Sequence, residues 1–176
     1  MMHAIQPQQL THMQPQEAAQ AAALEAAVSA HPWSARHYAD AIEAGYRCYV
    51  LRSASMTTVP VAQADEHWIG HFVLMIAADA AELLNFVITQ PWQGQGYGRA
   101  LLKIVCTRAL EQQARMLHLE VRESNVSALR LYENAGFQRS GRRRGYYPLE
   151  RLAQSSPDAS KTREDAVLMQ LELFAG

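Results

Sequence analysis

Between Leu83 and Leu110 the chain passes from an apolar, strand-like run through Gln93-Gly94-Gln95-Gly96-Tyr97-Gly98-Arg99-Ala100 into an amphipathic, helix-like run. Leu83, Leu84, Phe86, Val87 and Ile88 read as a buried strand, and Leu101, Leu102, Val105, Ala109 and Leu110 recur at helical spacing. Three alternating glycines let the connecting backbone take positive φ and leave room for close approach, so successive N–H groups can point at one anion. The helix that follows adds its unpaired first-turn donors and the positive end of its dipole. The segment therefore predicts a main-chain cradle for a pyrophosphate. The alternative is a glycine-rich turn that only joins strand to helix, at the energetic cost glycine carries in a helix's first turn.

Two common phosphate-binding designs do not fit the spacing. A Walker loop ends in Gly-Lys-Ser/Thr, whereas Arg99 and Ala100 follow Gly98 and offer no hydroxyl for magnesium. The dinucleotide fingerprint needs Gly-x-Gly-x-x-Gly with an acidic residue about twenty positions on. Glu120 stands near that place, but the interval here is Gly94-x-Gly96-x-Gly98.

Downstream, Met116 to Val121 reads as a strand and Asn125 as the N-cap of a helix whose apolar face is Ala128, Leu129, Leu131 and Tyr132. Asn134-Ala135-Gly136-Phe137 supplies the helix stop and a new strand. Upstream, Gln6 to Gln16 is polar and expected to be loosely held, as are residues 1–15 generally. Glu17 to Val28 is alanine-rich and favours helix, and a short helix is expected over Ala35 to Ala44, ending at Gly45. Strands are expected at Tyr46 to Arg52, Glu66 to Ala77, Glu82 to Thr89 and Ala166 to Leu173. Loops are expected at Met56 to Ala64 and Gln154 to Ser160. Strands and helices in this irregular order indicate α/β material with a mixed sheet.

Gln93-x-x-Gly96-x-Gly98 resembles the acyl-CoA pyrophosphate loop of the GNAT superfamily of N-acetyltransferases. The segment Asn125-x-x-Ala128-x-x-Leu131-Tyr132-Glu133-x-x-Gly136-Phe137 closely resembles its second acyl-CoA motif. Further matches are Pro32-Trp33-Ser34, Leu119-Glu120-Val121-Arg122-x-Ser124-Asn125, Arg142-Arg143-x-x-Tyr146-Tyr147-Pro148 and Arg163-Glu164-Asp165-Ala166. With these the chain is similar, from about His31 to Leu173, to the family of bacterial ribosomal-protein alanine N-acetyltransferases.

The resemblance implies a GNAT fold: a mixed, mostly antiparallel central sheet flanked by helices, with a splayed acyl-CoA cleft. It implies acetyl-CoA as acetyl donor, no metal, and the N-terminus of a small-subunit ribosomal protein as acceptor. Gln93, Gly94, Gln95, Gly96, Tyr97, Gly98 and Arg99 would hold the coenzyme diphosphate. Phe86, Val87 and Ile88 would offer strand backbone to the pantetheine amides, and Asn125 would contact the coenzyme, although capping alone accounts for it. Glu120 aligns with the proton acceptor and Tyr132 with the proton donor; the alternatives are that Glu120 pairs with Arg122 or caps the next helix, and that Tyr132 is a core tyrosine. Trp33, Tyr146 and Tyr147 would line the acceptor slot, with Gly145 standing where the family has asparagine. Other readings are a lysine, polyamine or small-amine acceptor, or an acyl-CoA-binding module without catalysis.

Composition bounds these readings. A chain of 176 residues suits one domain burying about 70% of its unfolded surface. A net charge of -1 gives no general attraction to nucleic acid or anionic membrane. The apolar runs are too short to span a bilayer, and the start lacks a signal core, so a cytoplasmic protein is expected. Cys48 and Cys106 fit neither a disulfide framework nor a metal knuckle and read as small buried hydrophobes rather than nucleophiles. His67 and His71, in a strand, would sit roughly 13 Å apart and share no metal; both are expected at the surface or a sheet edge.

Overall fold

A computed structural model of the chain describes residues 10–53, 68–148 and 163–174. The expected loops at Met56 to Ala64 and Gln154 to Ser160, and His67, lie outside the described residues. The elements run β1 (Leu10–His12), a 3-10 turn, α1 (Ala18–Ala26), α2 (Ala35–Glu43), β2 (Arg47–Arg52), β3 (Trp68–Ala77) and β4 (Ala80–Ile88). After a second 3-10 turn come α3 (Tyr97–Glu111), β5 (Met116–Arg122), α4 (Val126–Asn134), β6 (Gln138–Pro148) and β7 (Arg163–Glu172). Among the described residues the sheet has seven strands in the order β1-β2-β3-β4-β5-β7-β6. The β1–β2, β2–β3, β5–β7 and β6–β7 pairs are antiparallel, and β4–β5 is parallel. This is the mixed, mostly antiparallel sheet with flanking helices that the sequence led us to expect.

The chain divides into two units, one within Met1–Met75 and Leu84–Arg108, the other within Ile76–Leu83 and Ala109–Gly176. In the first, Met13, Ala21, Tyr38, Cys48, Val50, Trp68 and Val73 form a core against which Trp33 and Leu84 pack. β3 is buried from Trp68 to Leu74 without alternation, because both of its faces are covered. The expectation of a loosely held start fails from Leu10 onward: Leu10 to His12 pair with Leu51 to Tyr49, and Met13 is buried. The backbone ladder and the Met13 side chain outweigh the polar composition that suggested a loose segment.

In the second unit, Leu117, Leu119 and Val121 of β5 alternate inward, and Leu129, Tyr132, Phe137, Val167 and Met169 are also buried. The parallel register runs from Ala80↔Met116 to Leu83↔Leu119. β6 is exposed along almost its whole length and rich in arginine, a composition that discourages edge-to-edge pairing. The described residues contain no helix long and apolar enough to cross a membrane.

Candidate active site

Two of the three expected glycines take positive φ, while Gly98 lies in the first turn of α3. Gly94 and Gly96 have φ of 71° and 88°, a region closed to most side chains, and a Cβ added to either would meet nothing within 4 Å. Space beside both glycines is therefore open. Gln93 and Gln95 turn inward: Gln93 Nε2 donates to the Ile88 carbonyl at 2.9 Å and Gln95 Nε2 to the Pro91 carbonyl at 2.7 Å. Their amides brace the turn and leave the main chain to face outward. Trp92 and Tyr97 close it from the side with an edge-to-face contact of 5.1 Å. At the head of α3 the Ala100 N–H donates to the Gly96 carbonyl at 3.2 Å, so the N–H groups of Tyr97, Gly98 and Arg99 precede the intrahelical ladder. This arrangement suits a diphosphate held by main-chain donors.

The same unit holds Trp33, through residues that sequence reasoning passed over. The Trp33 N–H donates to Glu25 Oε2 at 3.0 Å, the Tyr38 hydroxyl donates to that oxygen at 2.6 Å, and Asn85 Nδ2 donates to Glu25 Oε1 at 3.0 Å. Three donors thus satisfy a carboxylate that is only 6% exposed. His71, expected at the surface, is fully buried, its Nε2 lying 2.7 Å from the Tyr38 oxygen. That correction follows from β3 being covered on both faces, which periodicity alone does not reveal. Since Tyr38 gives its proton to Glu25, His71 must donate from Nε2, and its buried Nδ1 has no partner among the described residues. Burial lowers the His71 pKa to about 3, so the ring stays neutral. Ser34 opens α2 with a reciprocal cap to His37, which fixes the residue directly after Trp33.

In the second unit the structure brings Glu120, Tyr132, Tyr146 and Tyr147 into one electrostatic neighbourhood. Glu120 lies two residues before the end of β5 and its Oε1 is 2.8 Å from Arg143 Nε. The expected alternatives, pairing with Arg122 or capping the helix, are not found. Arg122 is taken by Glu164 Oε1 at 2.7 Å and the Pro148 carbonyl at 3.0 Å, and the cap is Asn125, whose Oδ1 accepts from the Ala128 N–H at 3.2 Å. The Arg122 guanidinium also lies 4.3 Å from the centre of the Tyr147 ring. Burial, and then the negative charge of Glu120, push the Tyr147 phenol up to about 12.

Tyr132 sits on α4, buried, with the Phe137 ring 5.6 Å away. Burial, assisted by Tyr147, raises its pKa above the ordinary phenol range and keeps its proton in place. Tyr146 is displayed by a bulge: Arg143 faces Ala166 and Tyr147 faces Glu164, leaving three β6 residues opposite Asp165 alone. Asp165 Oδ1 accepts the Gly145 N–H at 2.8 Å, and Gly145 has φ of 56°. Asparagine also tolerates that region, so the exchange for glycine keeps the bend. Arg163 Nε donates to the Gly145 carbonyl at 2.6 Å, and Arg142 pairs with Glu123 and Asp165, so β6 is pinned by charges on its neighbours.

Burial raises both cysteine thiols, Cys48 to about 11. Among the described residues no cluster of His, Cys, Asp or Glu has the makings of a metal site.

The sequence-family model of the acetyltransferase (GNAT) family matches residues 18–137 of the chain. The chain belongs to the GNAT family of acetyltransferases. It is 30% identical over 151 residues to the ribosomal protein bS18-alanine N-acetyltransferase of Escherichia coli K12, covering 85% of this chain and 87% of that enzyme. The crystal structure of the ribosomal-protein-S18-alanine N-acetyltransferase from Escherichia coli superposes with a TM-score of 0.74 at 29% identity, covering 95% of each chain. A GNAT acetyltransferase from Elizabethkingia anophelis, crystallised with acetyl-CoA bound, shares the fold with a TM-score of 0.58 at 21% identity, over 78% of this chain and 83% of that one. This acetyltransferase thus has the GNAT fold that its two acyl-CoA motifs led us to expect.

Proposed function

We propose that this acetyltransferase moves the acetyl group of acetyl-CoA onto the N-terminal alanine of a small-subunit ribosomal protein, bS18 by analogy with the Escherichia coli relative. The observation that carries this reading is the similarity to that relative over 85% of the chain, together with Glu120, Tyr132, Tyr146 and Tyr147 grouped on the second unit.

The residues present suit acetyl-CoA. Residues 93–99 would offer main-chain N–H groups to the diphosphate, and Phe86, Val87 and Ile88, on β4 past the Ala80–Leu83 stretch that pairs with β5, would offer backbone groups to the pantetheine amides. Asn125 contributes by capping α4, the helix that carries Tyr132. The bound thioester supplies an activated acetyl carbon and a thiol leaving group. Glu120 takes the proton that the acceptor amine loses as its nitrogen bonds to that carbon, directly or through one water. Because a peptide α-amine titrates near 8, a carboxylate needs to help only modestly. Tyr132 gives its proton to the sulfur as the C–S bond breaks. Burial raises the basicity of the departing thiolate as well as that of the phenol, so the transfer remains matched. Trp33 on the first unit, and Tyr146 and Tyr147 on the second, are the residues that the family resemblance assigns to the acceptor's first residues.

The experiment is an acetylation assay on a peptide with the bS18 N-terminal sequence, with its α-amine free or blocked. Transfer to the free form and none to the blocked form is expected. Equal transfer to both would move the acceptor to lysine or another amine.

A further inference from the structure

The Glu120 carboxylate is paired before any acceptor arrives. Its partner is Arg143, Nε to Oε1 at 2.8 Å, and the same guanidinium lies 5.3 Å from the centre of the exposed Tyr146 ring. The neighbouring arginines are committed elsewhere, Arg122 to Glu164 and Arg142 to Glu123 and Asp165. The pair is lopsided: the Glu120 side chain is 17% exposed, whereas that of Arg143 is 55% exposed on the edge strand β6. An α-amine near pKa 8 reaches the enzyme at neutral pH largely as a cation, and Glu120 is its natural counter-ion; the ammonium gives one proton to solvent before it attacks, and the carboxylate takes the second as the N–C bond forms. A guanidinium cannot give up a proton there, so while it holds Oε1 it blocks that oxygen without contributing to proton transfer.

We propose that Arg143 is a positioning residue that stands in for the acceptor's ammonium in the resting enzyme, and that acceptor binding exchanges one cation for the other on Glu120. Resting on the reading of Glu120 as proton acceptor, the exchange leaves Arg143 beside the Tyr146 ring, which already lies 5.3 Å from its guanidinium, when it gives up the carboxylate. A half-exposed ion pair is weak, so releasing it costs little. The pair keeps a mostly buried carboxylate supplied with a counter-ion between turnovers and discriminates against weakly bound cations. It enters the acceptor KM and not kcat, because Arg143 has left Oε1 before the proton moves.

The test compares wild type, R143Q, R143K and E120Q with a peptide acceptor beginning in alanine, at ~0.05 and ~0.5 M salt, concentrations that span strong and weak screening. In wild type one ion pair replaces another, so KM changes little with salt. In R143Q a pair forms without one breaking. KM at low salt falls about two- to five-fold, the size of a half-exposed ion pair, and then rises with salt while kcat stays within about two-fold. R143K keeps a cation and behaves like wild type. An R143Q variant whose KM rises, or whose KM neither falls nor gains salt dependence, overturns the exchange. E120Q separates the two ideas: if it retains full turnover, the role of Glu120 is what fails, and if it loses turnover while R143Q has a raised KM, only the exchange fails.

Discussion

The Tyr38 hydroxyl donates to Glu25 Oε2 at 2.6 Å, joining α2 to α1 through a buried carboxylate that also holds the Trp33 N–H. Replacing Tyr38 with phenylalanine leaves that carboxylate and His71 Nε2 each one partner short. A buried polar group left unsatisfied costs about 1–3 kcal/mol, so Tyr38→Phe lowers unfolding stability by that amount in urea titrations. A loss below ~0.5 kcal/mol would show that the hydroxyl is already solvated or replaceable.

His71 gives the fold an acid sensitivity. Its ordinary pKa of 6.5 is lowered by burial to about 3 in the folded protein, so below 6.5 the unfolded chain binds a proton that the native protein refuses. Stability therefore falls as pH drops from about 6.5 toward 3, approaching ~1.4 kcal/mol per pH unit for this one group. Between pH ~6.5 and ~5, where carboxylates titrate little, His71→Gln should flatten the stability-against-pH curve. An identical slope in the two proteins would contradict a neutral, buried His71.

If Tyr132 has the proposed role, Tyr132→Phe removes the proton given to sulfur and leaves residues 93–99 untouched. Turnover should fall by roughly 10²-fold or more, with coenzyme affinity little changed, in steady-state kinetics paired with calorimetry. Unchanged turnover would take Tyr132 out of the chemistry and leave it as a core tyrosine against Phe137.

Gly96→Val forces a β-branched residue to φ of 88° and fills space that is open in front of the loop. Calorimetric affinity for coenzyme A should weaken at least tenfold, about 1.4 kcal/mol. Unaltered affinity would place the diphosphate elsewhere.

Local chemistry made much of this legible in the sequence. The turn at 93–99 was readable because positive φ needs glycine, and Asn125 because caps favour short polar side chains; Glu120 and Tyr132 were singled out by their places in motifs that resemble the family's, and their roles stay proposals. What the sequence hid depends on distant partners. Asn85 and Glu25 are separated by 60 positions, and Tyr38 and His71 by 33, so no window of sequence contains the polar cluster. The burial of His71 follows from β3 having cover on both faces. The pairing of Glu120 with Arg143, in place of the nearer Arg122, is set by the alignment of β6 on β7. The strand at Leu10–His12 escaped notice because a short edge strand takes its stability from its partner more than from its own composition.

Intact-mass and peptide-mapping mass spectrometry of purified, unmodified bS18, incubated with acetyl-CoA and either the wild-type enzyme or its Tyr132→Phe variant, tests the central claim most directly. The account predicts a single acetyl group on the α-nitrogen of the N-terminal alanine with wild type, and very little at the same time point with the variant. Acetylation confined to lysine side chains, or no transfer by wild type while coenzyme still binds, would contradict it.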